Sequence, residues 1–222
     1  MRTLAIGDIH GCNTALELLL GEVRPEPSDR MVFLGDYVDR GPGTRQVIDR
    51  LLAQSRQNEC AFIRGNHETM MLDSRVDPNC CESWMNACGG AATLRSYGVA
   101  PDSDWVRGIP AAHWNFLEGT IPYLETATNI FVHGGLDPQL DMAEQPDELL
   151  QWETFFTMRP HKSGKRVICG HTAQSSASVK DLGFAACIDT GPAYGGWLTC
   201  LDVTAGKYWQ ANELGDVRTG QL

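Results

Sequence analysis

The chain has 222 residues, of which 42% are hydrophobic and 21% are charged. This composition is typical of a soluble globular protein and excludes a disordered or membrane-spanning chain. The formal net charge of −10 argues against a general nucleic-acid-binding protein, which usually carries a basic patch. The length predicts a single domain over residues 1–222. The first predicted strand begins so close to Met1 that we expect no signal peptide and a cytoplasmic location.

The first strand is predicted at Thr3 to Ile6, and the segment GDIHG follows it. Asp8 and His10 stand two residues apart in this segment. Residues two apart in an extended chain point the same way, so this carboxylate and imidazole can bind one ion. A short helix is predicted over Ala15 to Leu20.

The second strand, Met31 to Leu34, breaks at Gly35 into two carboxylates, Asp36 and Asp39, followed by Arg40. Two acids and an arginine in one loop would be a poor structural choice, because each would be desolvated or left without a partner in water. A bound cation and an anionic substrate would give all three a function.

The same pattern continues along the chain. A helix is predicted over Thr44 to Gln54, and a third strand over Cys60 to Ile63 ends in GNHE, which contains Asn66 and His67. Successive strand, loop and helix units predict an α/β arrangement with the loops gathered at one edge.

The segment at about 73–119 changes to short helical pieces without a strand pattern. It has too few residues for a core of its own, which predicts a helical cap over the ligand loops, where we expect it to shape substrate access. Its aromatic residues are expected mainly to pack the cap itself, with stacking on adenine bases as the alternative.

The last part of the chain returns to strands. Asn129 to Val132 ends in HGG with His133, a helix is predicted over Pro146 to Phe156, and the strand Arg166 to Cys169 ends in GHT with His171. Short strands with glycine turns are predicted from Phe184 to Gln210. Two sheets are therefore expected.

Eight cysteines are present, and we expect them to be reduced. Four lie in apolar runs, where cysteine behaves as a small buried hydrophobe. The group Cys80, Cys81 and Cys88 matches no common zinc spacing, so plain thiols are favoured over a structural or redox-sensing site.

Taken in order, GDIHG, GDYVDRGP, RGNHE, HGGL, GHT and IDTGPAYGG resemble the signature of the phosphoprotein phosphatase family of calcineurin-like metallophosphoesterases. The segment CGGAATLRSYG and the short length resemble bacterial members. The resemblance implies an α/β fold, a four-layer α/β/β/α sandwich of two mixed sheets flanked by helices, with two divalent metal ions at one edge. Manganese is the first expectation, with iron or zinc as alternatives.

The resemblance also implies roles for individual residues. The predicted metal ligands are Asp8, His10, Asp36, Asn66, His133 and His171. Asp36 would bridge both ions. His67 would protonate the leaving oxygen, Asp39 would orient His67, and Arg40 would bind the phosphoryl oxygens.

Two ions about 3.5–4 Å apart can activate a bridging hydroxide for direct attack on phosphorus. We therefore expect hydrolysis of phosphate monoesters, first by a serine/threonine protein phosphatase acting on a phosphoprotein or a small phosphorylated substrate. The alternative is a symmetrical diadenosine tetraphosphate hydrolase. A non-catalytic metal-binding module is disfavoured, because it would have no use for His67 and Asp39. The oligomeric state is left open.

One expected residue is missing. Members of the family usually carry a second phosphate-binding arginine shortly after a tryptophan between the HGG and GHT segments. Here Trp152 is followed by Glu153 and Thr154, so threonine stands at that position. Arg159 and Arg166 are the nearby candidates to replace it.

Overall fold

The computed structural model describes residues 1–100 and 104–222. The strands are β1 (Thr3–Ile6), β2 (Arg30–Phe33), β3 (Glu59–Phe62), β4 (Tyr123–Glu125), β5 (Asn129–Val132), β6 (Arg166–Cys169), β7 (Lys180–Asp181), β8 (Ala185–Cys187), β9 (Leu198–Asp202), β10 (Lys207–Ala211) and β11 (Val217–Gln221). The α-helices are α1 (Asn13–Val23), α2 (Thr44–Gln54), α3 (Asn66–Asp73), α4 (Pro78–Ala87), α5 (Gly90–Tyr97), α6 (Ala111–Glu118) and α7 (Asp147–Trp152). Short 3₁₀ turns lie at Trp105–Gly108, Met142–Glu144, Phe155–Thr157 and Pro192–Tyr194.

The strands form two mixed sheets, in the orders β11-β10-β9-β1-β2-β3 and β4-β5-β6-β8-β7. The neighbours β1, β2 and β3 are parallel, as are β5, β6 and β8. The strands β9, β10 and β11 of the first sheet, and β4 and β7 of the second, pair antiparallel with their neighbours. The carboxyl ends of parallel strands meet at one edge of a sheet, which places the ligand loops together.

Three hydrophobic clusters separate the layers. One cluster joins the first sheet to α1 and α2. A middle cluster fills the space between the two sheets. The last cluster joins the second sheet to α7 and the turns around it. The middle cluster includes Ala5 and Val32 from the first sheet, and Phe131 and Ile168 from the second. The predicted fold class, two mixed sheets flanked by helices, is confirmed.

Helices α4, α5 and α6 occupy the segment predicted to be a cap, of which residues 101–103 lie outside the described part. The indole rings of Trp84, Trp105 and Trp114 pack in series, with centroids 5.2 and 5.8 Å apart. All three are buried and belong to the same cluster as Tyr37. The aromatic residues of this segment therefore pack inside it, as expected, and are not available for stacking on a base.

The predicted helix over Pro146 to Phe156 is wrong at its end, because α7 stops at Trp152. Backbone N–H groups of the HGG loop bond to carbonyls in the last turn of α7. The Leu150 carbonyl accepts the N–H of Gly134 at 2.7 Å, and the Leu149 carbonyl accepts the N–H of Gly135 at 3.1 Å. This docking competes with a further helical turn and leaves Trp152 beside the loops of the second sheet.

Every helix in residues 1–100 and 104–222 is too short or too polar to cross a bilayer. The eight cysteines are free thiols. In the same part of the chain, Cys80, Cys81 and Cys88 belong to no group of residues that converges on a possible metal position.

Candidate metal centre

The loops that follow β1, β2 and β6 carry site residues in an unusual backbone conformation. Seven non-glycine residues among those described have positive φ, and five of them are predicted site residues: His10 (47°), Asp36 (52°), Asp39 (72°), Arg40 (67°) and His171 (60°). Such a conformation costs about 1–3 kcal/mol per residue and persists only where the surroundings enforce it. The loops are therefore held in place by specific contacts.

Asp36 lies at the centre of the site, with 2% of its surface exposed. Its Oδ2 is 3.3 Å from Nε2 of His10, and its Oδ1 is 3.4 Å from Nε2 of His133. Oδ1 also accepts the backbone N–H of His67 at 3.1 Å. The two oxygens of one carboxylate thus face two histidines on opposite sides.

The tautomers of these two histidines are set by backbone carbonyls. Nδ1 of His10 donates to the Val38 carbonyl at 2.9 Å, and Nδ1 of His133 donates to the Leu34 carbonyl at 2.8 Å. In a neutral ring, Nε2 then carries a lone pair, and this lone pair faces an oxygen of Asp36. Only a proton or a cation between the two atoms makes that approach favourable, and a backbone carbonyl on the far nitrogen is typical of histidines that bind metals.

Two groups of side chains bring their ligand atoms within 4.8 Å of one another. One contains His10, Asp36 and His67, and the other contains Asp36, His133 and His171. Both groups share Asp36. The residues present therefore fit two divalent ions bridged by this carboxylate.

The amide oxygen of Asn66 lies 3.0 Å from Nε2 of His133 and adds an oxygen to the second group. Asp8 belongs to neither group in the described part of the chain. Its two carboxylate oxygens instead accept the backbone N–H of His171, each at 3.1 Å. Asp8 thereby ties the loop after β1 to the loop after β6.

The buried acids and histidines of the site shift one another's pKa values. Burial acts to raise the pKa of Asp36, but His133, His67 and His10 outweigh it and hold that pKa well below 3.8. Burial acts to lower the pKa of His133, but Asp36 raises it to about 10. The site therefore stabilises positive charge next to Asp36.

The pKa values of two further groups are shifted mainly by burial. Burial, followed by repulsion from Asp189, raises the pKa of Asp8 well above 3.8. Burial and the neighbouring His133 lower the pKa of His171 to about 4. His171 is thus neutral at neutral pH, the form in which imidazole binds a metal.

His67 and Asp39 form a buried pair. Nδ1 of His67 donates to Oδ2 of Asp39 at 2.7 Å, and Nε2 of His67 lies 3.9 Å from Oδ2 of Asp36. Nδ1 of the ring is thus anchored, while Nε2 lies on the side of Asp36.

Glu68 is a site residue that the sequence analysis did not single out. Its Oε2 accepts the N–H groups of Asp36 and Gly65 at 2.8 and 3.0 Å, and its Oε1 accepts those of Tyr37 and Val38 at 2.8 and 3.3 Å. The sequence indicates this role through the position of Glu68 in GNHE. It stands three residues after Gly65, the N-cap of α3, where a glutamate commonly bonds the N-cap backbone N–H.

Arg40 is exposed at the rim of the site. Its guanidinium contacts Nε2 of His10 and lies over the ring of Tyr194, 5.1 Å from the centroid. The two candidates for a second arginine are bound elsewhere: Arg166 pairs with Asp181 at 2.7 Å, and Arg159 donates to backbone carbonyls of its own loop.

Two exposed aromatic residues border the site. The Trp152 ring is 46% exposed and lies 6.2 Å from the ring of His171, and Tyr194 is 65% exposed. Sequence patterns offered no means to separate these two from the buried aromatic residues of α4 to α6.

Comparison with known proteins adds to this geometry. A family model described as calcineurin-like phosphoesterase matches residues 1–189. A symmetrical bis(5'-nucleosyl)-tetraphosphatase from Pseudomonas putida (strain W619) is 30% identical over 164 residues, which cover 68% of this chain and 50% of that protein. The chain thus spans about half the length of the curated relatives that it first matches.

Solved structures share the fold. A crystal structure of a protein described as a candidate diadenosine tetraphosphatase has 21% identity and a TM-score of 0.66, with 99% of this chain and 93% of that chain covered. A cold-active protein-tyrosine phosphatase from a Shewanella species has 16% identity and a TM-score of 0.67, with 99% and 80% covered.

Proposed function

The chain belongs to the calcineurin-like phosphoesterase family, and we propose that it uses two divalent metal ions to hydrolyse a dinucleoside polyphosphate. As a member of this family it is a hydrolase. One observation carries the two-metal proposal: two groups of nitrogen and oxygen ligands converge and share the Asp36 carboxylate. Imidazole, carboxylate and amide donors without thiolate suit Mn, Fe or Zn, and manganese is our first choice.

In this proposal Asp36, which belongs to both groups, would help to hold both ions. Asp8 and His10 complete the first position, and the second is completed by Asn66, His133 and His171. When bound, the ions neutralise phosphoryl charge and lower the pKa of an attacking water. A cation at the first position would favour the ionised form of Asp8, which burial disfavours without it.

Two side chains act directly on the substrate in this proposal, and a third acts through one of them. The guanidinium of Arg40 binds phosphoryl oxygens through its planar set of donors. His67 gives the proton on Nε2 to the leaving oxygen, because Nδ1 is already bonded to Asp39. Asp39 holds the ring in this orientation and stabilises its protonated form. No covalent phosphoenzyme is required.

The relatives change the expected substrate. The sequence alone favours a phosphoprotein as substrate, but the curated relatives that match at 29–31% identity carry the name symmetrical bis(5'-nucleosyl)-tetraphosphatase. The similarity to protein phosphatases is at 15–17% identity and supports the fold alone. The alternative, a dinucleoside polyphosphate, is therefore the better supported substrate.

Two clefts support a substrate with two nucleosides. They have volumes of about 340 and 410 Å³, and both are lined by Gly195 and Gly196 of the loop 191–196. The first begins at Ala173, two residues after His171, and the second is lined by Arg40. Both volumes fall in the range of small-molecule sites, about 300–1,000 Å³. A polyphosphate bound at the metal centre would have a nucleoside-sized space near each end.

The test is an assay on metal-stripped and manganese-reconstituted protein with diadenosine tetraphosphate, a phosphothreonine peptide and p-nitrophenyl phosphate. We expect no activity without metal, and with manganese a preference for the dinucleotide, with ADP as the sole nucleotide product. Asp36→Asn is the matched control and should bind fewer than two ions per chain. Preference for the peptide would restore the protein phosphatase assignment, and hydrolysis of none of the three by the manganese form would contradict the proposal.

A further inference from the structure

The residues 84–93, here called the clamp segment, reach the His67–Asp39 pair from outside the metal centre. Nε1 of Trp84 donates to Oδ2 of Asp39 at 2.8 Å, and Oγ1 of Thr93 donates to Oδ1 of Asp39 at 2.8 Å. With His67, the carboxylate of Asp39 thus accepts three hydrogen bonds. Two of its three donors come from the segment predicted to be a cap.

All four side chains are almost completely buried. Exposure is 0% for Asp39 and Thr93, 1% for Trp84 and 2% for His67. A buried carboxylate needs hydrogen-bond donors to remain anionic and in one orientation. Without the clamp segment, the side chain of Asp39 would keep only the donor from His67.

The clamp segment also holds the backbone of Asp39 and Arg40. Oγ1 of Thr93 accepts the N–H of Asp39 at 2.9 Å, and the Gly89 carbonyl accepts the N–H of Arg40 at 3.2 Å. Asp39 and Arg40 are consecutive non-glycine residues with positive φ, 72° and 67°. The same segment therefore enforces the strained backbone and orients the carboxylate.

Two glycines allow this close approach. Gly89 has φ of 95°, and a Cβ there would lie 2.7 Å from the backbone nitrogen of Arg40. A Cβ on Gly90 would overlap the ring of Trp84. Trp84, the glycine pair and Thr93 therefore act as one unit around the loop.

We propose that Trp84 and Thr93 are positioning residues for the acid, which fix the Asp39 carboxylate so that Nε2 of His67 faces the leaving oxygen. The identity of His67 as the acid rests on the proposed function. The positioning itself rests on the contacts of the clamp segment. The predicted cap would then serve the chemistry of the leaving group as well as enclosing the site.

The kinetic test compares a leaving group that needs protonation with one that does not. Thr93→Val keeps the shape of its side chain, and Trp84→Phe keeps a smaller aromatic ring. Both remove the donor, and Thr93→Ser restores the donor at position 93. We expect kcat with phenyl phosphate to fall about 10–100-fold in the first two variants, a part of the usual effect of a general acid, and to fall less than about threefold with 2,4-dinitrophenyl phosphate. Thr93→Ser should stay close to wild type. Equal losses on both substrates would overturn the proposal.

A second readout does not depend on activity. In the zinc-loaded protein with ¹⁵N-labelled histidine, the proton on Nδ1 of His67 can be assigned by its loss in His67→Asn. We expect this resonance to shift or broaden in Trp84→Phe and Thr93→Val and to recover in Thr93→Ser, with the bound metal unchanged. A resonance unaffected by the first two variants, both still folded by thermal melting, would refute the clamp. If the wild type hydrolysed no substrate while the resonance responded, the proposed function would fail and the positioning of His67 would stand.

Discussion

Oε2 of Glu68 accepts the backbone N–H of Asp36 at 2.8 Å, so a residue in the first turn of α3 holds the loop after β2. The same carboxylate bonds three further N–H groups and is completely buried. Burial, followed by the charge of Asp36, raises the pKa of Glu68 to about 7, while the four donors favour its anionic form. The position of Asp36 thus depends on the side chain of Glu68, which belongs to neither group of candidate ligands in the described part of the chain.

Glu68→Gln should therefore destabilise the fold although it changes only one atom. One edge of the glutamine side chain presents an NH₂ group to two backbone N–H donors, leaving both unsatisfied. We expect a loss of about 2–4 kcal/mol in the free energy of unfolding, from about 1–3 kcal/mol per buried unsatisfied group, measured by urea denaturation.

The matched control is Glu17→Gln, which removes a half-exposed partner of Arg50. It should change the free energy of unfolding by less than about 1 kcal/mol. A Glu68→Gln variant as stable as this control would show that the loop after β2 is held by other contacts.

Local sequence patterns were enough to find most of the strands and the residues at their ends, but β7 and β11 lie outside the predicted strand segments. β1 at Thr3–Ile6, β5 at Asn129–Val132 and α2 at Thr44–Gln54 have their predicted bounds, because each is an apolar or amphipathic run closed by a polar loop. The contacts of Trp84 and Thr93 with Asp39 span 45 and 54 residues. No periodicity encodes such long-range hydrogen bonds.

The roles of His67 and Asp8 can be separated by metal content. His67 is grouped with His10 and Asp36 in the structure, in the place where Asp8 was predicted. We expect His67→Asn to keep both ions and lose about 10²–10⁴-fold in kcat, the usual contribution of a general acid. Asp8→Asn should lose the first ion.

The metal content of both variants, His67→Asn and Asp8→Asn, can be measured by inductively coupled plasma mass spectrometry after dialysis. A reversed result, with metal lost in His67→Asn and retained in Asp8→Asn, would make His67 the ligand and remove it from the role of acid.

A buried acid outside the metal centre should control part of the stability at low pH. Burial acts to raise the pKa of Asp29, but hydrogen bonds from Arg2 and from the backbone of Glu26 lower it to about 2. Because the folded pKa is depressed, Asp29 stabilises the fold fully above its unfolded value near 3.8, and this contribution is lost as pH falls toward 2. It amounts to about 2 kcal/mol, from about 1.36 kcal/mol per pKa unit.

Asp29→Asn should therefore differ from the wild type most above pH 4, with the difference shrinking between pH 4 and pH 2. Urea denaturation at several pH values measures it, and the acids of the metal centre cancel because both proteins contain them. A difference that stays constant over this range would mean that Asp29 acts through its shape and neutral hydrogen bonds.

Tyr194 tests the part of the proposal that concerns nucleosides. Its ring lines the first cleft, is mostly exposed and lies beneath the guanidinium of Arg40. Stacking of a base on an aromatic ring is worth about 1–3 kcal/mol, roughly 5–150-fold in affinity. We expect Tyr194→Ala to raise KM for diadenosine tetraphosphate by about tenfold within this range. KM for p-nitrophenyl phosphate, which has no base, should change much less.

Tyr194→Phe keeps the ring and should resemble the wild type. If Tyr194→Ala raised KM equally for both substrates, Tyr194 would act by supporting Arg40, and the first cleft would not be a nucleoside site.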